Sequence, residues 1–400
     1  MNLAPVEAHE LKARAVSLGP RIGEIRRAIH RRPELGLNNP RTQALIIEEL
    51  KRIGIPVLAK GKGCTSVVAE IEGNGPGACI ALRADMDALP LSEHGSCEWA
   101  SEVEGAMHAC GHDGHVAMLL GAAEILADNR ERFAGRVRLL FQPGEEGYGG
   151  ARVMIDEGAL EGVDAAFAVH LEPSTPTHVV AWRRGTILAS ADVFTVTFQG
   201  AGGHGSMPHL ARDPIPAVGP FVDGLANVVA RETDPDDRVV LSVTRVDAGT
   251  TMNVIPPEAV CAGTVRALSE AGRERAHAAL ERVASGVAQS RGLKAQVSLV
   301  RGYPATVNDG GRALRAARVA GELGLKTLEM PSAVMGAEDY SYILARVPGC
   351  MVFLGCQTPG GGPLHSDQMK VDEEALATGA ALHAAVAADF LTTDLNRACP

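Results

Sequence analysis

MHACGHDGHVAMLLGAAEILADNRERFAGRVRLLFQ, residues 107–142, is the stretch on which the architecture turns. Its first nine residues, Met107 to His115, gather three histidines, a cysteine and an aspartate. From about Gly114 to Ala127 the apolar residues Val116, Leu119, Leu120, Ala123 and Leu126 recur at helical spacing. RVRLLFQ (136–142) then reads as a short buried strand. Upstream lie two further apolar strands, VVAEIE (67–72) and CIALRA (79–84). Downstream come a helix near 150–157 and the strand DAAFAVH (164–170). Strands that alternate with amphipathic helices predict a largely parallel sheet covered on both faces. The fold class is therefore α/β.

Two helices precede this region. Ile22, Ile25 and Ile29 fall at helical spacing before Pro33 stops the pattern, and Leu45 to Leu50 sit in a second helix. From about residue 190 the order changes. A strand (192–199), a helix (214–231), two strands (238–246 and 258–267), a helix (270–290) and a strand (294–300) follow one another. That β-α-β-β-α-β order is the ferredoxin-like split pattern. After Tyr303 the first pattern returns, with helices 311–323 and 337–346, strand 350–355 and the apolar helix 372–391. The economical arrangement is a discontinuous catalytic domain, 1–188 and 304–400, carrying an inserted α+β domain at 189–303.

With 400 residues, the chain exceeds one typical core. Apolar content of 46% and charged content of 22% describe an ordinary globular protein. A formal charge of -10 with no long basic run argues against nucleic-acid binding. The N-terminus lacks the pattern of a signal peptide, and nowhere do about 18 apolar residues run unbroken, so no membrane contact is expected. The eight cysteines sit in apolar contexts such as CMVFLGC (350–356), which suits reduced thiols and a cytoplasmic location.

Ligands of open α/β sheets bind beyond the carboxyl ends of the strands. Asp85 and Asp87 follow strand 79–84, Glu145 and Glu146 follow strand 136–142, His170 ends strand 164–170, and His365 lies beyond strand 350–355. Taken singly each has a plain interpretation: a capped turn at 85–90, an ordinary loop histidine at 365. Their shared placement points to a metallohydrolase. Cys110, His112, Glu146, His170 and His365 are too many ligands for one tetrahedral catalytic ion and fit two ions with a shared group. Thiolate and imidazole suit zinc, cobalt or nickel, and carboxylates also admit manganese. Glu145, beside a ligand, is placed to move protons as a general base. Asp87 reads as a supporting carboxylate that fixes the tautomer of a ligating histidine.

HRRPELG (30–36), RADMDALP (83–90), MHACGHDGH (107–115), QPGEEG (142–147), GAGGHGSMPH (200–209), NVIP (253–256), GTVR (263–266), MGAEDY (335–340) and PLHSD (363–367) are in order along the chain. Together they resemble the dinuclear metallopeptidase family of aminoacylases, carboxypeptidase G and succinyl-diaminopimelate desuccinylase. Within it they are most similar to the amidohydrolase branch of hippurate hydrolases, N-acyl-amino-acid amidohydrolases and auxin-conjugate hydrolases. The resemblance implies a zinc-peptidase-like α/β/α catalytic domain with an inserted ferredoxin-like lid that commonly dimerises; a homodimer, or a tetramer, is expected. It implies two divalent metal ions per subunit, held by Cys110, His112, Glu146, His170 and His365, with Glu145 as base and Asp87 as the supporting aspartate. His204 resembles the lid histidine that stabilises the tetrahedral oxyanion, often in the neighbouring subunit's site. Asn253 and Arg266 resemble lid residues that hold the substrate's carboxylate, although Arg266 alone also reads as a solvated strand-end charge. Asp85-Met86-Asp87 stands where other branches place His-x-Asp, and Cys110 where they place a bridging aspartate.

The implied reaction is hydrolysis of an N-acyl-L-amino acid, with a metallo-dipeptidase or carboxypeptidase as the alternative. A cysteine hydrolase, with Cys110 as nucleophile and His112 or His115 as base, is a rival. A metal-dependent binding protein is another, which the presence of Glu145 disfavours. Aromatics make up only 4% of the chain, yet Tyr148, Phe167 and Tyr340 lie near the site motifs.

Overall fold

In the computed structural model, which describes residues 6–94 and 97–393, the chain first builds most of a larger unit. Its elements are α1 (Ala8–His30), α2 (Pro40–Ile53), β1 (Val57–Lys60), β2 (Val67–Glu72), β3 (Cys79–Asp85) and α3 (His112–Asp128). β4 (Arg136–Gln142), α4 (Gly150–Asp156), β5 (Ala165–Glu172), β6 (Val179–Trp182) and β7 (Gly185–Leu188) follow. The chain then forms β8 (Asp192–Gln199), β9 (Gly203–His204), α5 (Val218–Glu232), β10 (Val239–Ala248), β11 (Val254–Ile255), β12 (Glu258–Ala267), α6 (Glu270–Gln289) and β13 (Lys294–Arg301). It ends with β14 (Thr306–Asn308), α7 (Gly310–Glu322), β15 (Lys326–Glu329), α8 (Tyr340–Leu344), β16 (Gly349–Gly355) and α9 (Glu374–Thr393). The larger unit comprises residues up to Ile187, Val307–Ser332 and those from Tyr342 onward; the smaller comprises Leu188–Thr306 and Ala333–Ser341.

The sheet of the larger unit runs β1-β2-β4-β3-β5-β16-β6-β15. Its centre, β4-β3-β5-β16, is wholly parallel. β1 with β2, β2 with β4, and β16 with β6 pair antiparallel, so the sheet is mixed rather than largely parallel. The short loop between β1 and β2 cannot make a parallel crossover, which needs a dozen or more residues. Every residue of β3 and of β16 is buried, as expected of parallel strands covered on both faces. α3 and α9 pack together and against β3, with α1 lying across both. Small residues make that possible: α3 is buried nearly all round rather than along a single stripe. α9 is long and apolar enough to cross a membrane, but 78% of that stretch is buried, as in a core helix.

In the smaller unit β8, β10, β12 and β13 form an antiparallel sheet in the order β10-β12-β8-β13. With α5 and α6 in the chain order β-α-β-β-α-β, this is the ferredoxin-like topology. Its core comprises Phe194, Val196, Phe198, Phe221, Leu225 and Leu280. β8 alternates buried with more exposed residues, so one face of its sheet meets the core.

β1, β6, β7 and β15 were not foreseen, because four-residue strands such as the fully exposed Lys326–Glu329 carry no period. The helix expected at 337–346 shrinks to Tyr340–Leu344, and that expected from 214 begins at Val218. Residues 333–341, assigned from sequence to the catalytic part, belong to the smaller unit.

Candidate metal centre

Because β4, β3, β5 and β16 are adjacent and parallel, the segments leaving their carboxyl ends share one rim. Asp87 follows β3, Glu145 and Glu146 follow β4, His170 lies near the end of β5, and His365 lies in the loop after β16. α3 enters the same rim with His112 as its first residue, after Gly111 turns the chain at φ 86°. Gly144 makes the β4 turn: its φ is 73°, and a Cβ there would meet Leu37 Cδ2 at 2.5 Å.

The donor atoms converge. Cys110, His112 and His170 form one group whose ligand atoms lie within 4.8 Å of one another; Cys110, Glu146 and His365 form a second. Cys110 belongs to both. A third group joins His112 to Glu145 and Glu146. Cys110 Sγ lies 3.6 Å from His170 Nε2, and Glu146 Oε1 lies 3.4 Å from His365 Nε2 and 4.0 Å from His112 Nε2. His365 has a φ of 63°, an uncommon value for a non-glycine residue, and its N–H donates to the Ala109 carbonyl at 2.8 Å. Such outliers concentrate at functional sites.

Hydrogen bonding sets which ring nitrogens are open. His112 Nδ1 donates to the Asp87 carbonyl at 2.9 Å, and His170 Nδ1 to the Leu171 carbonyl at 2.7 Å. Each ring therefore turns an Nε2 lone pair toward the cluster. Asp87 departs from its expected role: its carboxylate is 3.6 Å from His112 Nδ1 and instead accepts from the N–H groups of Glu145 (2.9 Å) and Glu146 (3.1 Å). The tautomer is set by its backbone; its side chain holds the acidic turn.

Burial holds His170 neutral, its pKa lowered to about 3. Burial likewise pushes the Cys110 thiol well above its usual range. At His112 burial favours the neutral ring, but Asp85 and Cys110 outweigh it and raise the pKa. Surroundings that favour a proton at that nitrogen favour a cation there too. His112 Nε2 and Glu146 Oε1 are buried with no hydrogen-bond partner. Buried polar atoms are rarely left unsatisfied, so orphaned donor atoms around a thiol fit a divalent ion or pair of ions.

The expected residues divide by unit. Cys110, His112, Glu145, Glu146, His170, His365 and Asp87 gather in the larger one. His204, Asn253 and Arg266 belong to the smaller one. There β9 pairs with β11, placing His204 opposite Val254, next to Asn253. His204 Nδ1 accepts from the Ser206 backbone N–H at 3.1 Å, and the residue is exposed. Arg266 lies on β12 opposite Val240, its pKa lowered by burial. Phe167 packs edge-on against buried His383 rather than at the rim. Tyr340 is buried in the smaller unit, and Tyr148 is largely exposed beside Gly36. Sequence reasoning missed the buried Arg83 and the use of His115. Their only sequence signal is ionisable residues in or beside apolar segments.

Comparison with known proteins decides the family. The model for peptidase family M20/M25/M40 matches residues 81–389. This chain belongs to that family. It is 41% identical to thermostable carboxypeptidase 2 of Saccharolobus solfataricus, over 92% of this chain and 94% of that one. It is 37% identical to an N-acetylcysteine deacetylase of Bacillus subtilis, over 93% and 97%. The crystal structure of the Bacillus subtilis YXEP protein, a dinuclear metal binding peptidase of the family, superposes with a TM-score of 0.85 at 35% identity, covering 94% and 99%. As a family member the chain is a metal-dependent hydrolase acting on amide bonds.

Proposed function

We propose that this family member hydrolyses N-acyl-L-amino acids to a carboxylic acid and a free amino acid. The observation that carries the reading is the placement of Cys110 in two ligand groups at once, with Glu145 beside them. Two divalent cations, zinc foremost with manganese, cobalt or nickel as alternatives, would acidify a water and polarise the acyl carbonyl when bound. Cys110, His112 and His170 would hold one and Cys110, Glu146 and His365 the other. Glu145 takes the proton from the attacking water and passes it to the leaving nitrogen. Asp87 keeps Glu145 and Glu146 in register by gripping their N–H groups.

The smaller unit supplies recognition in this reading. His204 donates from Nε2 to the oxygen on which charge develops. Arg266 and Asn253 hold the carboxylate of the amino-acid half, for which a guanidinium fork is suited. Exposed Met207, Leu210, Met252 and Val254 flank His204, supporting a homodimer formed through the lid. The cytoplasm is the proposed location.

Dipeptide or carboxypeptidase cleavage is the second reading, favoured by the 41% identity to a named carboxypeptidase. The cysteine-hydrolase alternative loses one of its two candidate bases, since both His115 nitrogens are engaged. A substrate panel tests the assignment. Acetyl, benzoyl, long-chain acyl and indole-acetyl amino acids should be cleaved in preference to dipeptides and C-terminal peptide bonds. Preference for the peptides would replace the first reading with the second.

A further inference from the structure

Three histidines stand in the 107–115 segment, and the reaction proposed above uses only His112. His115 is 1% exposed and lies close enough to Asp85 and His112 to suggest a third ligand. Its hydrogen bonds exclude that. The Leu171 N–H donates to His115 Nε2 at 2.9 Å. That nitrogen must carry the lone pair, so the proton of the neutral ring sits on Nδ1, which donates to Asp85 Oδ1. No lone pair remains for a cation.

Asp85 is itself held. Its Oδ2 accepts from Arg83 Nη1 at 2.5 Å, and Arg83 Nε donates to Gln142 Oε1 at 2.9 Å. Gln142 is the last residue of β4, from which the Glu145–Glu146 turn departs. At the other end, the residue anchored by His115 is the one whose carbonyl receives the His170 Nδ1 proton at 2.7 Å. A buried chain therefore runs Gln142, Arg83, Asp85, His115, Leu171, His170. It ties β4, β3, α3 and β5 together under the rim.

We infer that His115 is a positioning residue for the metal centre: as the Nδ1–H tautomer set by Asp85, it holds the Leu171 N–H and so anchors the residue whose carbonyl aims His170 Nε2. Bonds to the outer nitrogen of a ligating histidine usually govern both its tautomer and its angle. Here that outer acceptor is a backbone carbonyl, and His115 secures the residue that bears it. The inference rests on the reading of Cys110, His112 and His170 as metal ligands.

The test compares His115→Asn with His115→Gln in the full-length protein, titrated with cobalt(II) and followed by visible absorption. The asparagine amide reaches toward Asp85 but stops short of Leu171. The glutamine amide extends to the place of Nε2 and keeps an acceptor for the Leu171 N–H. The asparagine variant should bind cobalt about 10–100-fold more weakly, with an altered absorption envelope, while glutamine restores both toward wild type. An asparagine variant with wild-type affinity and spectrum, or a glutamine variant no better than asparagine, overturns the proposal. Wild-type protein that takes up no cobalt overturns the metal reading itself. If the asparagine variant does not fold, ring-nitrogen NMR of metal-free wild-type protein decides. An Nδ1–H tautomer at His115 supports the inference, and an Nε2–H or doubly protonated ring overturns it.

Discussion

Asp87 serves His112 with its backbone and the acidic turn with its side chain: its carbonyl accepts from His112 Nδ1 at 2.9 Å while its carboxylate caps the N–H groups of Glu145 and Glu146. One residue thus aligns a proposed ligand and the proposed base. Asp87→Asn keeps the carbonyl but turns an amide NH2 toward a backbone N–H. A loss of about 10–100-fold in kcat/KM is expected, with His112 still able to bind metal. Steady-state kinetics together with metal analysis check this; an unchanged kcat/KM would remove Asp87 from the mechanism.

Glu145→Gln should lower kcat by at least about 10²-fold, because an amide cannot accept the proton from water. Metal content should stay at the wild-type level, since Glu145 is not among the proposed ligands. Elemental analysis alongside turnover separates the two effects. Retained turnover would rule out Glu145 as the base.

Removal of metal by a chelator should abolish activity and lower the melting temperature, with zinc, manganese, cobalt or nickel restoring both. Ligands that bind only the folded state stabilise it by mass action. A cysteine nucleophile would instead survive chelation and fall to a thiol-alkylating reagent.

The smaller unit has its own pH signature. Asp192 is buried and accepts from Arg273 Nε at 2.8 Å and from the Gly302 N–H at 2.9 Å, and it pairs with His277 Nε2 at 2.7 Å. Burial would raise its pKa, but the Arg273 and Gly302 hydrogen bonds outweigh burial and lower it. A depressed carboxylate pKa stabilises the fold above the unfolded value of about 3.9, and that contribution fades as pH falls through the folded value. Asp192→Asn should cost about 3–5 kcal/mol near pH 7 by leaving Arg273 short of its partner. Denaturant melts should show the gap between variant and wild type narrowing below about pH 4. A gap that widens toward acid would refute the assignment.

Much of the site was legible before any fold was known. Cys110, His112, Glu145 and Glu146 lie in two short segments, and His170 and His365 follow apolar strands, so strand-end placement predicted their meeting. Asp87 reads from sequence as a support for a ligating histidine, but nothing in a sequence says whether its carbonyl or its carboxylate is the nearer acceptor for His112 Nδ1. β15 and β6 escaped for a different reason. Their pairing is decided by neighbours distant in the chain, such as Lys326 opposite Val179, and not by any local pattern.

Residue types and their spacing were enough to establish the chemistry available here: soft and hard ligands, a spare acid, and an α/β alternation interrupted by a split ferredoxin-like order. Those features are local, and periodicity and ligand chemistry are properties of neighbouring residues. Which histidine nitrogens stay open, that Cys110 serves two ligand groups, and that His115 is spent on Leu171 and Asp85 emerged from folding alone. Each depends on hydrogen bonds between side chains and backbone groups that are far apart in the chain, and only the packed sheet and helices bring those atoms within reach.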